Sequence, residues 1–170
     1  MKTIVLAEDH AIIRDGLKLL ISTRPDLKVV ADTGHGDEVE RLVREHQADL
    51  LLLDLDLPGC HGVELTRKVK AAHGNTRVLI LTASPSAASV KAAFEAGADG
   101  YVLKHENAEE LLYAIALVLS GIVYLSKGLA QLSALPASAD ETPITAREQQ
   151  ILALIARGDS SSDIADKLNL

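Results

Sequence analysis

Aromatic residues are nearly missing from this chain of 170 residues, which has three Tyr, one Phe and no Trp. Its core must therefore be aliphatic, built from Leu, Ile, Val and Ala, and the scarcity argues against a base-stacking platform for single strands. A single Cys excludes an internal disulfide framework and any multi-cysteine zinc site, and suits a reducing compartment. No run approaches the roughly 18 consecutive apolar residues a membrane helix needs. The opening Met1–His10 begins with a basic residue and an apolar stretch, as a signal peptide does. That stretch is short and ends at two acids, so it reads as a strand. These absences point to a cytoplasmic protein without a membrane partner. Basic charge is short as well: 17 Lys and Arg stand against 24 Asp and Glu, a net −7. The chain as a whole is a poor electrostatic match to nucleic acid, so DNA contact needs a local patch.

What is present is ordinary globular composition, 48% hydrophobic and 24% charged, in a length that fits one domain or one domain plus a small module. Short β-branched runs alternate with amphipathic helical stretches. The runs are Thr3–Ala7, Leu27–Thr33, Leu50–Asp54, Arg77–Thr82 and Gly100–Leu103. Four are nearly continuous apolar segments, the pattern of parallel strands covered on both faces. Between them, residues at helical spacing share faces: Ile13, Leu17, Leu20 and Ile21; Val39, Leu42, Val43 and His46; Leu65, Val69 and Ala72; Val90, Ala93, Phe94 and Gly97; Leu111, Ile115, Val118 and Leu119. Phe94 and the Leu stripes are read as core. Asn107 and Glu110 form an N-cap and N3 pair opening the fifth helix. Five βα units in succession predict an α/β fold with a parallel sheet and right-handed crossovers. The pattern changes after Gly121: residues 126–142 are rich in Ala, Ser and Leu and read as linker. From Pro143, Thr145 with Glu148 gives a second capping signature, Gly158 a stop, and Ser160 with Asp163 another helix start. Two short helices cannot form a stable domain alone, so 143–170 reads as the front half of a module.

The carboxylates fall where such a sheet places its sites. Glu8 and Asp9 follow the first strand and Asp54 ends the third; in a doubly wound sheet, sites lie at the carboxyl ends of strands near the switch in strand order. If strands one and three are neighbours, three acids converge, at a repulsive cost that a hard divalent ion, Mg²⁺ first, relieves. Thr82 and Lys104 end later strands, a hydroxyl and an ammonium on the same rim. The set suits phosphoryl transfer, with a carboxylate attacking and the metal and Lys104 neutralising the phosphoryl oxygens. His10 reads as a helix-start residue, the six histidines show no ligand spacing, and Cys60 reads as loop packing with no basic neighbour beyond His61.

With the acidic pair Glu8-Asp9, the run from Leu51 through Asp54 to Pro58-Gly59, Thr82-Ala83, and the stretch from Gly97 to Lys104 in this order, residues 1 to about 122 resemble a bacterial response-regulator receiver domain. The tail, from Ile144 through Glu148 and Gly158 to Ile164-Ala165, resembles the start of a LuxR-type helix-turn-helix domain, and together they resemble regulators of the NarL/FixJ type. The resemblance implies a flavodoxin-like doubly wound five-stranded parallel sheet over 1–122, a linker over 123–142, and over 143–170 the N-terminal part of an all-α DNA-binding module. It implies that Asp54 accepts a phosphoryl group from a sensor histidine kinase. Glu8, Asp9, Asp54 and the backbone carbonyl of Asp56 would hold Mg²⁺, Lys104 would pair with phosphoryl oxygens, and Thr82 and Tyr101 would act as the switch. Such a protein is not an enzyme beyond its own phosphorylation and hydrolysis, and it dimerises on phosphorylation to bind DNA. Leu57, Cys60 and His61 depart from the family pattern in the loop after Asp54, Asp56 adds an acid there, and Ser161-Ser162 replace a frequent Asn-Lys.

Residues 143–170 carry three basic side chains against four acidic ones. The recognition helix would follow Leu170, so the DNA-contacting residues are not identified. Two other readings compete. One is a stand-alone receiver acting on a protein partner, against which the Thr145–Glu148 signature argues. The other is a phosphatase of the haloacid-dehalogenase type, suggested by Asp54-Leu-Asp56 but with the motif after the wrong strand.

Overall fold

The computed structural model describes residues 1–130; the helices expected to open at Thr145 and Ser160, and most of the expected linker, lie outside the described residues. The chain divides into two compact units, Met1–Leu125 and Ser126–Leu170. Of the second, the described part is residues 126–130, with the single-turn helix α6 (Lys127–Ala130).

The first unit alternates strands and helices: β1 (Lys2–Ala7), α1 (Ala11–Ser22), β2 (Leu27–Thr33), α2 (Gly36–His46), β3 (Leu50–Asp54), α3 (Gly62–Ala72), β4 (Arg77–Thr82), α4 (Ala87–Glu95), β5 (Gly100–Leu103), α5 (Ala108–Leu119) and β6 (Tyr124–Leu125). All neighbouring strands pair in parallel, in the order β2-β1-β3-β4-β5-β6. The chain thus winds outward from β1 to one side, returns to β3 beside it and winds to the other, and the crevice between β1 and β3 is the switch point.

The five expected strands are joined by a sixth, Tyr124–Leu125, which begins two residues past the expected domain boundary at 122. Tyr124 pairs with Gly100 and Leu125 with Tyr101, so β5 is not the sheet edge. The central strands are buried on both faces, β3 along its whole length, as parallel strands between helices must be. Ile4, Leu6, Leu50, Leu52, Leu79, Leu81 and Val102 pack with Leu17 and Ile21 of α1 and with Leu111, Ile115 and Val118 of α5. Strand alternation turns Val5, Leu51, Leu53, Val78 and Ile80 to the opposite face, where α3 lies between α2 and α4.

Three expected helix faces are corrected. Ile13 is exposed on α1, as are His46 on α2 and Ala72 on α3, because each lies at the margin of its stripe. Phe94, expected in the core, is half-buried, and Ala93 is the one residue α4 buries fully. The Asn107 side chain accepts from Glu110 N at 2.8 Å, but the Glu110 carboxylate takes a hydrogen bond from the Tyr124 hydroxyl instead of closing the capping box. The closed capping box is at α4, between Ser86 and Ser89. No helix of the described residues is long and apolar enough to cross a membrane.

Candidate functional site

Register builds the site. Ala7 stands opposite Leu53 and Asp54 opposite Leu81, so Glu8, one residue past Ala7, comes level with Asp54. Thr82 stands opposite Leu103, and Lys104 is the next residue. Lys104 N donates to the Thr82 carbonyl at 2.8 Å, which extends the pairing one step and fixes where the lysine leaves the sheet.

The Lys104 ammonium lies 2.7 Å from Asp54 Oδ2 and 2.7 Å from Glu8 Oε2. Glu8 and Asp54 are buried, at 0% and 1% exposure, so their charges are balanced by side chains rather than by water. Burial alone would lower the Lys104 pKa, but the Asp54 and Glu8 carboxylates outweigh it and hold the ammonium above its ordinary range. Asp9 is exposed at the mouth. Asp56 is exposed as well, and its backbone N–H donates to Asp54 Oδ1 at 3.2 Å.

Two further residues join the site: His10, read from the sequence as a helix-start residue, and Arg14, which the sequence did not mark. His10 precedes α1 as its N-cap without capping it. Its ring instead lies with Nδ1 3.0 Å from Glu8 Oε1 and 2.6 Å from Asp9 Oδ1. The hydrogen bond to Glu8, then the charge of Asp9, raises the imidazole pKa. Arg14 donates to the Glu8 carbonyl at 2.6 Å and pairs with Asp32 at 3.0 Å, pinning the acid loop from outside. His10 was visible beside the acids; nothing in the spacing of Arg14 marks it.

Thr82 and Tyr101 are buried, at 1% and 0% exposure. The Tyr101 hydroxyl lies 3.1 Å from Ser89 Oγ of α4. Burial raises its pKa. In the loop after Asp54, Leu57 is buried and Gly59 adopts φ 93°. His61 caps α3, its Nδ1 accepting from Val63 N at 3.3 Å. Cys60 is half-buried, and Lys68 Nζ comes within 3.9 Å of its sulfur, a basic neighbour that the sequence did not disclose. Gly62 is required by space: a Cβ there would sit 2.7 Å from Leu55 Cα and 3.0 Å from the Asp54 carbonyl oxygen.

The donor set suits a hard divalent cation. Glu8, Asp9, His10 and Asp54 each offer one ligand atom, all within 4.8 Å of one another. Three carboxylates, two of them buried, converge here beside the Lys104 ammonium and the His10 ring, an oxygen-rich set that suits a dication.

The comparisons with known proteins agree with this geometry. Residues 4–116 match the response regulator receiver domain and residues 142–170 the bacterial regulatory proteins of the luxR family. The nitrate/nitrite response regulator protein NarL of Escherichia coli K12 is 35% identical over 99% of this chain and 81% of its own length. The oxygen regulatory protein NreC of Staphylococcus epidermidis is 35% identical over 97% and 82%. Among solved structures, a LuxR-family two-component response regulator from Aurantimonas sp. SI85-9A1 is 41% identical, with a TM-score of 0.74 over 77% of this chain and 94% of that one. The match at 142–170 favours the transcriptional regulator over the stand-alone receiver, and the placement of Asp54-Leu-Asp56 after β3 removes the ground for the phosphatase. The chain belongs to the NarL/FixJ-type response regulators, a receiver domain followed by a LuxR-type DNA-binding region.

Proposed function

We propose that Asp54 is the phosphoacceptor of this regulator, and that its phosphorylation by a sensor histidine kinase controls transcription through the LuxR-type region. The observation that carries the reading is the Lys104 ammonium held 2.7 Å from both Glu8 and Asp54 at the switch point. An Asp54 carboxylate oxygen forms the new bond to phosphorus as the phosphorus–nitrogen bond of the donor phosphohistidine breaks. Lys104 then meets the phosphoryl oxygens from the β5 side. Glu8, Asp9 and Asp54, with the backbone carbonyl of Asp56, are the residues that would hold Mg²⁺. When bound, the ion neutralises charge on the transferring phosphoryl group.

The Thr82 hydroxyl turns to a phosphoryl oxygen, and Tyr101 carries the change toward α4 and α5. The phosphorylated form dimerises, which suits paired half-sites on DNA. The protein works in the cytoplasm and has no catalytic activity beyond its own phosphorylation and hydrolysis.

The test is intact-protein mass after incubation with acetyl phosphate, with and without Mg²⁺, on wild type and Asp54→Asn. One added phosphoryl group that depends on Mg²⁺ and disappears in Asp54→Asn is the expected result. A full adduct on Asp54→Asn would overturn the assignment, as would the lack of both an adduct and a beryllofluoride complex in the wild type.

A further inference from the structure

Tyr101 is fully buried, yet carries a hydroxyl that must be satisfied there. Its partner at hydrogen-bond distance is Ser89 Oγ at 3.1 Å, across from β5 to the first turn of α4. Ser89 is the third residue of α4, and its hydroxyl has other work. It accepts from Ser86 N at 2.9 Å and lies 2.9 Å from the Ser86 carbonyl. A serine hydroxyl has one proton and two lone pairs. The three neighbours of Ser89 Oγ, the Ser86 N–H, the Ser86 carbonyl and the Tyr101 hydroxyl, all lie at hydrogen-bond distance, so the tyrosine is tied to the helix start through this one hydroxyl.

We propose that Ser89 is a positioning residue that holds Tyr101 in its buried orientation and couples it to the first turn of α4. Ser89 Oγ lies at hydrogen-bond distance from the Tyr101 hydroxyl. On the reading above, Thr82 is drawn to the phosphoryl group, and Ser89 is what keeps the buried hydroxyl satisfied afterwards. α4 is suited to respond, since it buries only Ala93 fully and its start rests on the same two serines. Motion of Tyr101 therefore pulls on the Ser89 hydroxyl, and through it on the Ser86 backbone at the start of α4.

The chain has three tyrosines, so this 170-residue chain labelled with 3-fluorotyrosine gives three fluorine resonances, and Tyr101→Phe identifies the relevant one. Its exposure is read from broadening by a soluble paramagnetic agent. Ser89→Ala is expected to raise the exposed population of Tyr101 by about five- to tenfold, the effect of one net hydrogen bond. Ser89→Thr keeps the hydroxyl and restores protection. Ser86→Ala removes the side chain that accepts from Ser89 N but keeps the backbone groups that Ser89 Oγ uses, so Tyr101 stays protected. The Tyr113 and Tyr124 resonances show that each variant is folded. Tyr101 as protected in Ser89→Ala as in wild type would overturn the proposal, and so would equal exposure in Ser86→Ala or no rescue by Ser89→Thr. The measurement needs no phosphoryl group. A wild-type spectrum unmoved by Mg²⁺ and beryllofluoride would count against the phosphoacceptor reading and leave the Ser89 result standing.

Discussion

Lys104→Met keeps the apolar stem and removes the one ammonium between two buried acids. The ligand atoms of Glu8 and Asp54 lie within 4.8 Å of each other; at that distance, two like unit charges repel by at least about 3.5 kcal/mol at an effective dielectric of about 20. Removing one partner of a buried ion pair costs about 3–5 kcal/mol by a separate route. A carboxyl escapes repulsion by taking up a proton, which at neutral pH caps the cost at about 4 kcal/mol. The three figures converge on a loss of about 3–4 kcal/mol in metal-free buffer. The assay is urea unfolding followed by far-ultraviolet circular dichroism, on wild type and Lys104→Met, with EDTA and with saturating Mg²⁺. Because a dication replaces the missing positive charge, the deficit should shrink to below about 1 kcal/mol in Mg²⁺ through binding linkage. A deficit that is the same in both buffers would refute the electrostatic reasoning, and so would one below about 1 kcal/mol in EDTA.

Gly62→Ala should destabilise the fold by about 1–3 kcal/mol through overpacking, since its Cβ would meet the Leu55 backbone at 2.7 Å. A urea midpoint equal to wild type would show that the loop after Asp54 gives way freely. Burial pushes the Asp49 carboxyl up, but hydrogen bonds from Lys2 and Thr3 outweigh it and hold the group below its usual range. A depressed carboxylate stabilises the fold above its unfolded pKa and loses that contribution as pH falls through the folded one. Asp49→Asn should therefore lower stability at neutral pH and flatten the acid limb of a stability–pH profile; an unchanged limb would contradict this.

The fold was legible where burial writes a continuous signal. The runs at Leu27–Thr33, Leu50–Asp54, Arg77–Thr82 and Gly100–Leu103 are the strands of the structure, and β1 begins one residue early at Lys2. Tyr124–Leu125 was missed because two residues carry no period. The α4 cap was missed because Ser stands at N3, where Glu or Gln is the usual sign. At Glu110 the reverse happened: a good local signature lost its side chain to Tyr124, a partner that only tertiary structure supplies. The convergence of Glu8, Asp9, Asp54 and Lys104 was readable because strand ends index position along a sheet edge. The contacts of His10, Arg14 and Ser89 were not, since they depend on rotamers and on the distance between a helix and a neighbouring strand. Phe94 was misplaced for the same reason, because helical spacing tells which residues share a face but not how deeply that face sinks.

The pairing of β1 with β3, residues far apart in the chain, also bears on how the molecule folds. Non-local strand pairing is slow because loop-closure entropy is lost before contacts form. Any route that joins β1 to β3 ahead of β5 passes through a species in which Glu8 and Asp54 already face each other and Lys104 has not arrived. In that species the acids oppose further compaction, and docking of β5 relieves them. A divalent cation held by the same acids would do that work earlier, so on such a route added Mg²⁺ is expected to accelerate refolding.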